Sequence, residues 1–371
     1  MKKTRLAVIG TGAMGMNHCR SVKAIAGSEL AAVCDANAES SARAAKEFSV
    51  QGFTSAEEMM DSIKPDGIII TTPHYSHHTI AAQAFTRGIH VLTEKPIAAQ
   101  IKDGIYAVNA WKKARETYPS LQFAAMFQLR THGVWKKIKE MITRGDLGRL
   151  MRCTWIITTW YRSQAYYNMG GWRGTWKGEG GGVLLNQCPH NLDLYCWLVG
   201  SPGRIMGFTS CGKYHKIEVE DEVTAYLEHA NGMVGHFITS TAESPGTNRL
   251  EITGENGVLV YENNSLTFKR NEQSVLSHIQ HNNDPFSVIP HWLCSVPFAK
   301  DQDNPHKAVI ENFADAINSG AVLIAPAEEG LAQLSLGNGI MLSSHLQKPV
   351  SLPLDPEQYS AMLQQKNDTP K

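Results

Sequence analysis

No stretch of this chain approaches the roughly 18 to 20 consecutive apolar residues that a bilayer-crossing helix requires, so no membrane association is expected. Nor is there an excess of charge: 35 Lys and Arg stand against 35 Asp and Glu, which leaves no net field to hold nucleic acid or an anionic membrane. Cysteine is limited to Cys19, Cys34, Cys153, Cys188, Cys196, Cys211 and Cys294, an odd set of seven without a C-x-x-C pair. Reduced thiols in a cytoplasmic protein fit that usage better than a disulfide framework. The start, Met1-Lys2-Lys3-Thr4-Arg5, is basic, but only Leu6-Ala7-Val8-Ile9 follows before glycine, which is a first strand and not a signal peptide. Internal repeats and low-complexity tracts are missing, and His77-His78, His229 and His236 lack metal-ligand spacing, so no metal is expected. What remains is a chain of 371 residues, 42% hydrophobic and 19% charged, the profile of a globular protein of two or three domains.

The first apolar run leads directly into Gly10-Thr11-Gly12-Ala13-Met14-Gly15 and then into an alanine-containing helical pattern. Strand, tight turn and helix in that order suit a dinucleotide-binding unit. Gly10 allows the turn, Gly12 lets the backbone approach a pyrophosphate, and Gly15 lets helix and strand pack closely. Phosphate is favoured there by free backbone N–H groups and the helix dipole. The second apolar run ends at Asp35, whose carboxylate suits the hydroxyls of an adenosine ribose and repels a 2′-phosphate. NAD is therefore expected over NADP.

Strict β-α alternation continues through Ile68-Ile69-Ile70, His90-Val91-Leu92-Thr93 and Gln122 to Gln128, with helices between, and implies a parallel sheet covered on both faces. Ligands of such sheets bind at the carboxyl ends of the strands, here the glycine turn, Asp35, Thr72-Pro73-His74 with His77, and Glu94-Lys95-Pro96. From Leu150 the pattern changes to alternating strand-like runs up to Arg270, with Asn231-Gly232 as a hairpin signal. The expected fold is an α/β Rossmann domain over 1–130, then an α+β domain over 131–350 with a large, mostly antiparallel, open-faced sheet, and a tail over 351–371. Segment 271–305 has no assignable pattern. The helix at about 328–346 is expected to pack back on the Rossmann domain, and the open sheet face implies a homodimer or homotetramer.

Three patterns spread along the chain resemble the glucose-fructose oxidoreductase, inositol dehydrogenase and MocA (Gfo/Idh/MocA) family of sugar oxidoreductases. They are the glycine turn with Asp35; Thr72-Pro73-His74-x-x-His77 followed by Glu94-Lys95-Pro96, with His74 where the family usually has Asn; and Gly180-Gly181-Gly182-Val183-Leu184-Leu185-Asn186-Gln187-Cys188-Pro189-His190-Asn191-Leu192-Asp193. In the last, Asn186 stands where many members have Asp. The resemblance implies NAD-dependent oxidation of a secondary hydroxyl of a sugar, sugar derivative or cyclitol. It makes Lys95 the group that bonds the reacting hydroxyl and orients the nicotinamide. A cis Lys95–Pro96 bond is expected to fix that turn.

Hydride leaves carbon for the nicotinamide, so the protein must accept a proton and stabilise alkoxide charge. The Lys95 ammonium suits the second task, and His190, whose imidazole titrates near neutral pH, suits the first. Asn186, one helical turn before His190, suits a substrate hydroxyl. The aromatic, glycine-rich stretch from Trp160 to Trp176 suits a sugar, with Arg162, Tyr167 and Trp172 as pocket residues. Two other readings stay open: a glycoside hydrolase that oxidises transiently and eliminates, and a non-catalytic dinucleotide-binding regulator. Retention of Lys95 and His190 argues against the latter.

Overall fold

The computed structural model describes residues 3–368. Its chain divides into two compact units, Met1–Thr131 with Asp301–Leu334, and His132–Lys300 with Ser335–Lys371.

The first unit is built on six parallel strands: β1 (Thr4–Ile9), β2 (Ser28–Cys34), β3 (Gln51–Phe53), β4 (Gly67–Ile70), β5 (His90–Thr93) and β6 (Phe123–Ala125). Their order is β3-β2-β1-β4-β5-β6, the doubly wound arrangement in which the direction of winding reverses between β1 and β4. Ile68, Ile69 and Ile70 are fully shielded because helices lie over both faces of the sheet. The short β3 has too few apolar residues to be legible as a strand; it is recruited by pairing with β2. Helix Ala56–Ile63 begins at Ser55, whose hydroxyl accepts the Glu58 N–H at 3.3 Å. The core joins Leu6, Val8, Ile69 and Leu92 to Val309, Ile310 and Phe313 of the helix Pro305–Ser319. Because all six strands run parallel, the carboxyl ends of β1, β2, β4 and β5 share one edge.

The second unit contains a nine-stranded sheet: β7 (Leu150–Ile157), β8 (Arg204–Cys211), β9 (Glu220–Glu228), β10 (Val234–Ser240), β11 (Asn248–Gly254), β12 (Gly257–Glu262), β13 (Ser265–Asn271), β14 (His291–Ser295) and β15 (Val350–Ser351), in the order β14-β13-β12-β11-β7-β10-β9-β8-β15. All pairs are antiparallel except β7 with β10. Along β9, Val223, Ala225 and Leu227 are buried while Thr224 and Tyr226 are exposed, the alternation of a sheet covered on one face. The helix Gly330–Leu346 is tied to β8 by Ser343 and Ser344, whose hydroxyl oxygens accept the Gly207 and Thr209 N–H groups at 3.0 and 2.9 Å. Residues 356–368, expected as tail, form a helix, because Tyr359, Met362 and Leu363 recur at helical spacing and are buried. The patternless 271–305 segment holds the helix Val275–His281 and edge strand β14.

Candidate functional site

In the first unit the glycine turn has the geometry its spacing implies. Gly10 has φ +93, and a Cβ there would lie 2.8 Å from the Thr71 carbonyl. A Cβ on Gly15 would lie 1.8 Å from the Gly10 oxygen, so only glycine lets the helix Ala13–Lys23 approach β1 this closely. Gly12 differs: a Cβ there would meet nothing within 4 Å. Gly12, Ala13 and Met14 are exposed, no side chain caps the helix start, and its first turn has no acidic residue. An open backbone with free N–H groups and an unopposed helix dipole fits a pyrophosphate.

Asp35, at the end of β2, faces this turn. Its Oδ2 accepts the Thr11 N–H at 2.7 Å and the Thr11 hydroxyl at 3.0 Å, and its Oδ1 accepts the Asn37 N–H at 2.9 Å. A carboxylate has about four lone-pair sites, so capacity for a ribose hydroxyl remains. Thr71, unremarked in the sequence, ties β4 to β1: its hydroxyl donates to the Gly10 carbonyl at 2.5 Å.

At the ends of β4 and β5, histidines brace the chain. His77 is buried, with Nδ1 2.9 Å from the Pro96 carbonyl oxygen and Nε2 2.7 Å from that of Thr72. Both ring nitrogens are thus spent on the backbone, and His77 couples the Thr72 turn to the Lys95 turn. Burial lowers its pKa despite those carbonyls. His74 is buried beside it, ring centroids 6.0 Å apart, while Pro73 is exposed. Glu94 is buried and pairs with His18 of the first helix, Nε2 to Oε1 at 2.7 Å, and accepts the Lys95 N–H at 3.2 Å. Burial alone would raise the Glu94 pKa, but the His18 hydrogen bond and the charges of His18, Lys95 and His306 bring it down to about 2. Lys95 itself is half-buried, and the Lys95–Pro96 bond is cis.

In the second unit the glycine segment is held from below by acids that sequence reasoning missed. Glu220 of β9 accepts the Gly182 N–H at 2.8 Å and the Leu184 N–H at 3.0 Å. Burial pushes its pKa up to about 7 against the pull of those N–H groups. The buried Glu179 accepts the Gly174 N–H at 2.7 Å and an amide proton of Asn186. A carboxyl group therefore stands directly behind Asn186. His190 is buried in the first turn of the helix Pro189–Val199; Asn186, expected one helical turn before it, lies ahead of that helix in a run of turns.

The aromatic stretch divides. Tyr167 turns inward: its hydroxyl donates to Thr241 at 3.1 Å and its ring packs on His215, with burial raising its pKa to about 12. Its neighbour Tyr166 lies 3.5 Å from Asn186 Oδ1 instead. Arg162 lies over the Tyr166 ring at 5.1 Å, and Trp172 carries Arg173 at 4.5 Å. Asn186 and Arg162 are thus brought to Tyr166; the Tyr167 ring packs edge-on against Tyr166 with centroids 5.2 Å apart, but its hydroxyl is directed to Thr241. Adjacent tyrosines offered no sequence signal for which would turn inward. Glu220 and Asp221 sit in an acidic run, Glu218 to Glu222, that reads equally well as a solvated strand end.

A parallel Rossmann sheet whose glycine turn is open to a dinucleotide, with an acidic residue at the end of β2, defines an NAD-binding oxidoreductase unit. The model for an oxidoreductase family with an NAD-binding Rossmann fold matches residues 4–120, and that for the GFO/IDH/MocA C-terminal domain matches residues 135–260. The chain belongs to the Gfo/Idh/MocA oxidoreductase family. It is 22% identical over 363 residues to scyllo-inositol 2-dehydrogenase (NAD(+)) of Bacillus subtilis, spanning 94% of this chain and 96% of that enzyme. It is 22% identical over 339 residues to 1,5-anhydro-D-fructose reductase of Ensifer adhaerens, spanning 91% and 95%. Among solved structures, the WlbA dehydrogenase of Bordetella pertussis, in complex with NADH and UDP-GlcNAcA, aligns with a TM-score of 0.79 and 26% identity over 95% of this chain and 100% of that one.

Proposed function

We propose that this protein oxidises a secondary hydroxyl of a sugar, sugar derivative or cyclitol, or reduces the corresponding ketone, with NAD preferred to NADP. The observation that carries the reading is the braced Glu94-Lys95-Pro96 turn: β5 is one strand removed from the glycine turn on the same sheet edge, and two buried histidines hold its conformation. Gly10 to Gly15 and Asp35 hold the dinucleotide, with Thr72, Pro73, His74, His77 and Glu94 forming or bracing the nicotinamide end. NAD, when bound, supplies the hydride acceptor. Lys95 hydrogen-bonds the reacting oxygen and stabilises its developing charge. His190 takes the hydroxyl proton as general base. Asn186, its amide N–H directed to Glu179, offers Oδ1 to a substrate hydroxyl. The names of the relatives, acting on inositol and anhydrofructose, and the UDP-GlcNAcA complex of WlbA support the substrate class. The exposed sheet face that carries Phe208 and Tyr226 is the proposed surface of a homodimer or homotetramer.

The test is a panel of sugars, sugar derivatives and cyclitols assayed with NAD and NADP by absorbance of the reduced cofactor. Efficiency is expected to be higher with NAD. Lys95→Ala and His190→Ala are each expected to lower turnover by roughly 10²-fold or more with the fold intact. Near-normal turnover in either variant removes that residue from the mechanism, and product without net redox change selects the hydrolase chemistry instead.

A further inference from the structure

The Tyr166 ring is flanked by two guanidinium groups, Arg162 at 5.1 Å and Arg173 at 4.6 Å. Both arginines are half-buried. Arg173 donates from Nη1 to the Tyr166 hydroxyl at 2.7 Å, and Arg162 donates from Nη1 to the Tyr161 carbonyl at 2.8 Å and the Trp160 carbonyl at 3.5 Å. Each guanidinium has five N–H donors in a planar fork, so most of each fork is unspent. Among the described residues, neither has a carboxylate at ion-pair distance. Glu179 and Asp221, two acids of this region, are engaged by other groups. Each Glu179 oxygen accepts one bond, from the Gly174 N–H and from the Asn186 amide. Asp221 accepts the N–H groups of Lys213, Tyr214 and His215 and pairs with the His215 ring. Two like charges held on one ring repel each other, and an anion placed between them would relieve that repulsion. The cluster is joined to the substrate segment, since the Tyr166 hydroxyl also meets Asn186 Oδ1 at 3.5 Å and accepts from Gln187 at 3.3 Å.

We propose that Arg162, Tyr166 and Arg173 form an anion-recognition subsite that selects a sugar derivative carrying a carboxylate or a phosphate group over its neutral parent. The proposal rests on the reading of residues 186–190 as the segment that meets substrate. Tyr166 sets the two forks by cation–π contact, and the anion accepts from both.

The experiment compares a neutral hexose, its hexuronic acid and its phosphate ester, using NAD-loaded parent protein, Arg162→Gln, Arg173→Gln and the double variant. Binding is read by calorimetry and turnover by NADH formation. The parent is expected to bind one of the anionic compounds at least roughly tenfold more tightly than the neutral hexose, the scale of a charge-assisted hydrogen bond. The double variant is expected to bring that ratio close to one. The uronate and phosphate arms decide which oxyacid is preferred. Equal binding of neutral and anionic compounds by the parent, or a ratio untouched by the double variant, overturns the subsite. Charge-selective binding without NADH from any compound leaves the subsite standing and sinks the oxidation reading. Efficient oxidation of the neutral hexose with no charge preference does the reverse.

Discussion

Two buried glutamates respond to burial in opposite directions, and the difference lies in what faces them. Glu94 has His18 at 2.7 Å and the charges of Lys95 and His306, so its carboxyl stays ionised down to about pH 2. Glu220 has only backbone N–H groups and the like charge of Glu179, and burial prevails. For Glu94 the folded pKa lies below the ordinary 4.5, so its stabilisation is fully present above that value and is lost as pH falls toward 2. Glu94→Gln is expected to lower stability at pH 7 by roughly 3 kcal/mol, because it leaves His18 without its partner. The gap to the parent should narrow as pH falls from 4.5 toward 2, read by urea unfolding at each pH. A gap that does not change with pH would show that the carboxylate charge contributes nothing. Lys95 and His190 stand out in the chain through the short motifs that carry the family resemblance. His18 is not, because its partner lies 76 residues away and nothing local marks it.

The turn between β1 and the helix Ala13–Lys23 is the element whose sequence and structure agree most closely, since its geometry is set by neighbouring residues. The glycines nevertheless separate into two kinds. Gly15→Ala drives a Cβ into the Gly10 carbonyl and is expected to destabilise the unit and abolish NAD binding together. Gly12 sits at φ −66 with open space around it, so Gly12→Ala is expected to leave the urea midpoint near the parent's. It should weaken NAD by roughly tenfold or more, because a methyl group occupies the pyrophosphate's approach. Unchanged NAD affinity in the Gly12 variant, measured by quenching of protein fluorescence, would place the pyrophosphate elsewhere. The aromatic stretch is less legible as an element: its ring and donor types suit a sugar, but which tyrosine turns inward depends on Thr241 and His215, contributed by other segments.

At the scale of the molecule, the chain does not complete its first unit before starting the second. The helix Pro305–Ser319 places Val309, Ile310 and Phe313 against Leu6, Val8, Ile69 and Leu92. Phe313→Ala is expected to destabilise the Rossmann unit by roughly 3 to 5 kcal/mol, the cost of a large cavity in a closed core, and to release NAD in the same transition. A loss below about 1 kcal/mol would mean that the helix is not part of that core. By itself the sequence determined the β-α alternation, the glycine turn and the change to antiparallel strands after Leu150. Each of these follows from periodicity or from conformations set by near neighbours. Only the tertiary structure decided that residues 301–334 fold with the first unit, that buried acids hold the glycine segment, and that two arginines meet on Tyr166. Those outcomes depend on packing between segments far apart in the chain, where local pattern carries no information about partners.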